Sequence, residues 1–319
     1  MDAVLGIDIA KAKFQGALLV GDRIRHKTFP NTAAGFQQLA EWLHRHAVTA
    51  VHACLEATGT YGDALATWLH DAGHRVSVVN PAIIHAFART QLARSKTDRL
   101  DAELIARFTA TQRPARWTPP ARELRALQAL VRRLDALQGM RTQEANRLAA
   151  GVSVAAVQTS IEAMLASLDA QIAQVQQLIR DHLDQHPGLR AQRDLLTTIP
   201  GIGEATAAVL IAELFDKRYA SARQAAAFAG LVPRLVESGT LRGRPRLSKI
   251  GPSRLRKALY FPAVAALRWN PTIRAVRARL AAAGKPPMVI IGAAMRKLIH
   301  IAYGVLKSGR AYEPTCAHP

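Results

Sequence analysis

Four carboxylates stand where short apolar runs end or a helix begins. Asp8 lies at the end of the run Val4 to Ile9, and Glu56 follows the run Ala50 to Leu55. Asp98 and Asp101 open a stretch with Leu100, Leu104, Ile105 and Phe108 at helical spacing, so both acids point to one helix face. Four carboxylates brought together repel one another and hold protons more tightly unless cations neutralise them. Their natural partner is Mg²⁺, which takes carboxylate oxygens and keeps waters for phosphate substrates. Two such ions about 3.5–4 Å apart clamp the attacking and leaving oxygens of a phosphodiester. Each acid also has a plain reading. Asp8 suits a strand end, Glu56 a solvated position before a turn, and Asp98 and Asp101 the first turn of a helix.

A second chemistry lies in the run Arg234 to Lys257, where eight basic residues face only Glu237. A hydroxyl beside dense guanidinium groups is a candidate phosphoryl nucleophile, because the cations offset charge building on phosphate. Residue type alone leaves Ser238, Ser248 and Ser253 open, and each also suits a turn. Arg234, Arg242, Arg244, Arg246, Lys249, Arg254, Arg256 and Lys257 are the candidate nucleic-acid contacts. Thr197-Thr198-Ile199-Pro200-Gly201-Ile202-Gly203 before a helix from Glu204 to Leu214 has the pattern of a helix-hairpin-helix. There Gly201 and Gly203 would let backbone approach a phosphate at a helix N-terminus. His182 and His186 are four apart, but no acidic or cysteine partner in the sequence makes them a metal site.

These groups need positioning elements. Val4 to Ile9, Phe14 to Val20 and Arg23 to Phe29 are strand-like, with a Gly21-Asp22 turn. A helix over 34–46, a strand at Ala50 to Leu55, a helix over 61–72 and a strand at Arg75 to Val79 follow. Asn80-Pro81 then opens another helix, and Asp98 to Thr109 a further one. This order predicts an α/β domain of ribonuclease H-like (RuvC-like) type. Residues 122–150 and 154–179 repeat apolar positions in steps of three and four, predicting a long coiled-coil arm that turns near Gly151. A basic helix through Tyr260 and an apolar one from Pro286 to Leu306 predict a mainly helical C-terminal part, with the tail from Tyr312 frayed. The predicted division is 1–115, 116–190 and 191–319.

Charge sets the partner class. The 319 residues carry a formal net charge of +20. Residues 1–110 hold 12 basic and 10 acidic side chains, whereas 111–319 hold 31 and 13. A nearly neutral front and a strongly basic remainder point to a polyanion, most often nucleic acid. Two cysteines, Cys54 and Cys316, make no disulfide framework, and no apolar run is expected to reach the ~20 residues of a membrane span. A soluble, cytoplasmic protein is expected.

The motifs Gly6-Ile7-Asp8, Leu55-Glu56-Ala57-Thr58-Gly59 and Lys96-Thr97-Asp98-Arg99-Leu100-Asp101-Ala102 occur in that order. Ile199-Pro200-Gly201-Ile202-Gly203, Phe228-Ala229-Gly230-Leu231 and Glu237-Ser238-Gly239 follow them. Together they resemble the IS-one-ten family of insertion-sequence transposases, the DEDD transposases, relatives of the pilin-gene invertases. The resemblance implies that Asp8, Glu56, Asp98 and Asp101 hold Mg²⁺, and it selects Ser238 as the catalytic serine. It further implies donor and target DNA as substrates and a structured bridge RNA as guide. Dimers would pair into tetramers, and recombination would pass through a 5′-phosphoserine link. Two other readings are a metal-dependent junction nuclease that uses water and a non-catalytic nucleic-acid scaffold.

Overall fold

The computed structural model describes residues 3–57, 59, 61–91, 97–215, 219–234, 237–238, 241–242 and 246–314, apart from the side chains of 237, 238, 241 and 242. The chain forms two compact units, Met1–Pro119 and Pro120–Pro319.

The first unit is built on β1 (Ala3–Ile9), β2 (Lys13–Val20), β3 (Arg23–Pro30), α1 (Ala33–Arg45), β4 (Val51–Glu56), α2 (Asp63–Asp71), β5 (Arg75–Val79), α3 (Pro81–Thr90) and α4 (Asp98–Gln112). The strands form one sheet in the order β3-β2-β1-β4-β5. The β1–β2 and β2–β3 pairs are antiparallel, while β1–β4 and β4–β5 are parallel. Strand alternation sends Leu5, Ile7, Ala53 and Leu55 to one face, where they pack with Leu39, Leu43, Leu65 and Leu69 of α1 and α2. Each buried Leu or Ile among them contributes about 1.5–3 kcal/mol.

The other face is covered by α4, and the contact is made at Gly6. A methyl group at Gly6 would lie 2.1 Å from the Ala102 carbonyl oxygen and 2.3 Å from Ala106 N. The helix backbone therefore rests on the strand backbone, and only glycine fits between them. Cys54 faces the same helix, and burial pushes its thiol up to about 11, so it is a protonated core residue.

The second unit opens with α5 (Arg122–Ala149) and α6 (Ala155–Gln185). They run antiparallel: Arg141 Nε sits 2.5 Å from Asp169 Oδ1, and His182 Nε2 donates to Glu123 O at 2.7 Å. The turn between them has Gly151 at φ +91°, a left-handed backbone that favours glycine. α6 continues beyond the predicted residue 179 because Leu183 is buried against the rest of the unit. His182 and His186 are fixed by backbone carbonyls, the latter through Nδ1 to His182 O at 2.7 Å.

Next come α7 (Pro187–Thr197), α8 (Glu204–Glu213), α9 (Ala222–Phe228), the two-residue strands β6 (Pro233–Arg234), β7 (Glu237–Ser238), β8 (Leu241–Arg242) and β9 (Arg246–Leu247), and then α10 (Ser253–Trp269), α11 (Pro271–Ala282) and α12 (Pro287–Ser308). One apolar core joins α5 and α6 to these C-terminal helices through Leu127, Val131, Leu210, Leu259 and Leu298. α10 passes the predicted end at Tyr260 and carries Pro262 inside it. Burial of Leu255, Leu259, Ala263 and Ala266 offsets the missing N–H there. α12 is long and apolar enough to cross a membrane by length and composition, contrary to the sequence expectation. Here it is a core helix, with Leu298, Ile299, Ile301, Ala302 and Val305 fully buried.

Two polar clusters fasten this unit. Arg254, in the first turn of α10, donates to Glu213 Oε1 of α8 at 2.5 Å and to Asp135 Oδ2 of α5 at 3.2 Å. Lys257 Nζ adds a bond to Asp135 Oδ1 at 2.8 Å. Burial alone would raise the Asp135 carboxyl, but the bonds from Lys257 and Arg254 outweigh it and hold the group below the ordinary carboxylate range. The second cluster corrects the expectation of a tail frayed from Tyr312. Tyr312 is buried; its OH donates to Asn270 Oδ1 at 2.9 Å, and its N–H donates to Thr198 Oγ1 at 2.9 Å. Asn270 in turn caps α11 and donates to Pro200 O at 3.3 Å. Cys316 and the rest of 315–319 lie outside the described residues.

Three outcomes test this packing. Gly6→Ala should lower the stability of the first unit by about 1–3 kcal/mol. Tryptophan fluorescence in urea reads this, because Trp42, Trp68 and Trp117 lie in that unit; an unchanged midpoint would contradict the close α4 contact. Tyr312→Phe should cost about 1–3 kcal/mol in thermal unfolding followed by circular dichroism. Asp135 has a depressed native pKa, so its stabilisation is complete above the ordinary carboxylate value and fades as pH falls through the native one. Asp135→Asn should therefore be less stable than wild type at neutral pH. Urea titrations carried to acid should show the gap closing.

Candidate active site

Asp8 and Glu56 stand side by side. The last paired couple of β1 and β4 is Ile7 with Leu55, so the two acids occupy the next rung on neighbouring parallel strands, about 4.8 Å apart in backbone spacing. Alternation turns both toward the face that holds Gly6 and Cys54, which is the α4 face. Both are partly exposed at the carboxyl edge of the sheet, the edge where ligands bind in open α/β sheets.

α4 brings its acidic first turn to the same edge. Ala102 and Ala106 lie over Gly6. One turn earlier, Asp98 Oδ2 is 3.4 Å from Lys13 Nζ, at the start of β2 beside the end of β1. Farther along the helix, Glu103 Oε2 is 3.5 Å from His26 Nε2, opposite the Ala17 that pairs with Gly6. The helix start therefore points toward Asp8 and its end away. The N-cap is Thr97, whose Oγ1 accepts from Leu100 N at 3.2 Å, so the Asp98 side chain is not used as the cap.

Oxygen donors of this kind suit a hard divalent cation, and all four sit at one edge of one unit. Among the described residues, however, no three His, Cys, Asp or Glu side chains converge on a point where a metal ion could sit. Asp98 is turned to Lys13 and is 62 % exposed. The backbone thus places the four acids together, while their side chains do not form a ligand cage.

In the second unit, Ser238 lies in β7, paired with Leu241 of β8. The excursion that carries it is closed at its base by β6 and β9, where Pro233 pairs with Leu247 and Arg234 with Arg246. Glycines seat that base. A methyl at Gly251 would lie 1.9 Å from Phe228 O, and Gly230 has φ +70° with Ile250 O as close neighbour. Arg256 Nη1 ties the seat by donating to Ala229 O at 3.1 Å and Gly251 O at 3.0 Å. Ser248 N donates to Val232 O at 2.9 Å as part of the same base, and Ser253 begins α10.

The basic residues therefore divide. Arg254 and Lys257 are held by carboxylates, and Arg256 by backbone carbonyls. Arg234, Arg246 and Lys249 are exposed, the last with φ +53°, and Arg244 and the Arg242 side chain lie outside the described residues. In the hairpin between α7 and α8, Gly201 has φ +104° and packs on α10, where a methyl would lie 2.8 Å from Pro262 O. Gly203 has open space around it at the start of α8. Of the two glycines only Gly203 is free for a ligand; Gly201 is required by packing.

Residues 5–155 match the family model described as "Transposase" for DEDD transposases of the IS110 type, and residues 193–277 match the "Transposase IS116/IS110/IS902 family". The pilin gene-inverting protein of Moraxella bovis is 33 % identical over 314 residues, 97 % of each chain. The equivalent protein of Moraxella lacunata is also 33 % identical over 97 % of each. A transposase for insertion sequence element IS1328 of Yersinia enterocolitica is 30 % identical over 226 residues, 61 % of this chain and 65 % of that one. By these matches the chain belongs to the IS110-type transposases and is a DNA transposase or recombinase.

Proposed function

We propose that this protein cuts and rejoins DNA strands through a covalent 5′-phosphoserine link on Ser238. In this reading Ser238 Oγ attacks the phosphorus, loses its proton, and releases the 3′ oxygen as a hydroxyl. The hydroxyl of a partner strand then reverses the step and frees the serine. Asp8, Glu56, Asp98 and Asp101 would hold divalent metal, with Asp98 leaving Lys13 to do so. Bound Mg²⁺ would supply positive charge against the phosphate and the leaving oxygen. The observation that carries the reading is the placement of Asp8, Glu56 and the acidic first turn of α4 at one sheet edge.

The sheet order, a three-stranded meander followed by two parallel strands, supports a ribonuclease H-like (RuvC-like) first domain. The long α5–α6 hairpin would be the arm of the three-part division 1–115, 116–190 and 191–319, and would serve in assembly of dimers into tetramers. Guidance by a bridge RNA would leave target choice to base pairing, and the basic second unit would hold RNA and DNA together. The cytoplasm is the fitting compartment.

The test uses cells carrying the gene with its native flanking DNA. Recombinant junctions are scored by amplification, and protein–DNA adducts are recovered in boiling detergent. Ser238→Ala should abolish both junctions and adduct. Asp8→Asn and Asp101→Asn should each lower junction yield by at least about 10²-fold. Cleavage without any adduct would favour the water-using nuclease, and normal activity of the Asn variants would favour a scaffold.

A further inference from the structure

From Ser238 to Tyr312 the chain has no Asp or Glu and sixteen Lys or Arg. The dense run before Lys257 accounts for only part of this. Within the stretch, α10 presents an exposed stripe of Phe261, Val264 and Arg268, with Trp269 beside it. Phe261 is 76 % exposed and Trp269 64 %, the two most exposed large apolar side chains among the described residues. The opposite face of α10 is fully committed to the core through Leu255, Leu259, Ala263 and Ala266. The two rings therefore lie outside that core, with Phe261 edge-on to Tyr260 at 5.3 Å between ring centres.

We propose that this face of α10 binds unpaired nucleotides, with bases stacking on Phe261 and Trp269 and Arg268 taking a phosphate between them. Three observations select that occupant. Rings flanked by cations form the arrangement that tracks single strands, since every base offers a π-face and every linkage a negative charge. The separation of eight positions between Phe261 and Trp269 places the rings about 12 Å apart along the helix, which three or four bases at a rise of ~3.4 Å would span. Arg268 has no carboxylate partner among the described residues, and its guanidinium lies 4.9 Å over the Trp269 ring, where it orients the ring. A second copy of the chain fits poorly, because two such faces would oppose cation to cation across a surface without acids. Duplex DNA hides the base faces that the rings would meet.

The proposal rests on the reading of nucleic acid as substrate and identifies strand-separated segments, of DNA or of a guide RNA, as what this surface holds. The experiment uses the purified full-length protein and fluorescence anisotropy with labelled oligo-dT of twenty nucleotides, the same length of oligo-U, and a twenty-base-pair duplex. Phe261→Ala and Trp269→Ala should each weaken single-strand binding roughly tenfold, with duplex binding changed by less than about twofold. Phe261→Tyr and Trp269→Phe should restore it, which a merely structural loss would not allow. The DNA and RNA probes separate the two sources of unpaired bases. Single-strand binding unchanged in the double alanine variant, or lost equally for the duplex, would overturn the proposal. So would a dimer in sedimentation that the variant abolishes, or Phe261-dependent binding to anionic vesicles in its place. Failure of wild-type protein to bind any of these nucleic acids would instead defeat the broader reading.

Discussion

The backbone contact at Gly6 is the constraint on which the first unit depends. A helix normally stands off a sheet by the thickness of its side chains; here the missing Cβ lets α4 settle onto β1. That closeness decides where the first turn of α4 falls along the strand. Asp98 and Asp101 reach the edge occupied by Asp8 and Glu56 because Ala102 and Ala106, one and two turns later, sit over the glycine. The glycine two residues before the acid is thus as much a part of the site's construction as the acid.

The second unit meets the opposite electrostatic problem. It carries most of the positive charge, and unpaired cations in one compact body repel one another. Its few carboxylates are used economically: Asp135 and Glu213 gather Arg254, Lys257 and Arg132, linking α5, α8 and α10 at their crossing. Arg256 is satisfied by carbonyls instead. Among the described residues, what remains positive includes Arg234 and Arg246 at the base of the strand excursion and the outer faces of α10 and α11, where a polyanion can reach it. Folding sorts the basic residues into those that hold the structure and those that stay available.

The strands of the first unit were legible from alternation and turn chemistry, and their observed bounds differ from expectation by a residue or so. The long helices were equally plain from steps of three and four. Shorter elements were missed although their caps were present. Ser221 accepts from Gln224 N while the Gln224 side chain accepts from Ala220 N, and Asn270-Pro271 is a cap followed by proline at the first helical position. Those signals could have located α9 and α11. The Tyr312 anchor had no such signature, because its partners Asn270, Thr272 and Thr198 are distant in sequence.

By itself the sequence determined the chemistry available: which residue types can hold a cation or attack a phosphate, their order along the chain, and a charge imbalance that demands an anionic partner. These are properties of side chains and of local periodicity, and folding does not alter them. Only the tertiary structure decided which candidates share a surface. It set Asp8 beside Glu56 through parallel pairing and separated packed Gly201 from open Gly203. It also withdrew Arg254, Arg256 and Lys257 into internal bonds and left Phe261 and Trp269 outside. The reason is that proximity across distant segments arises from register and close packing, and neither is encoded in the neighbourhood of any one residue.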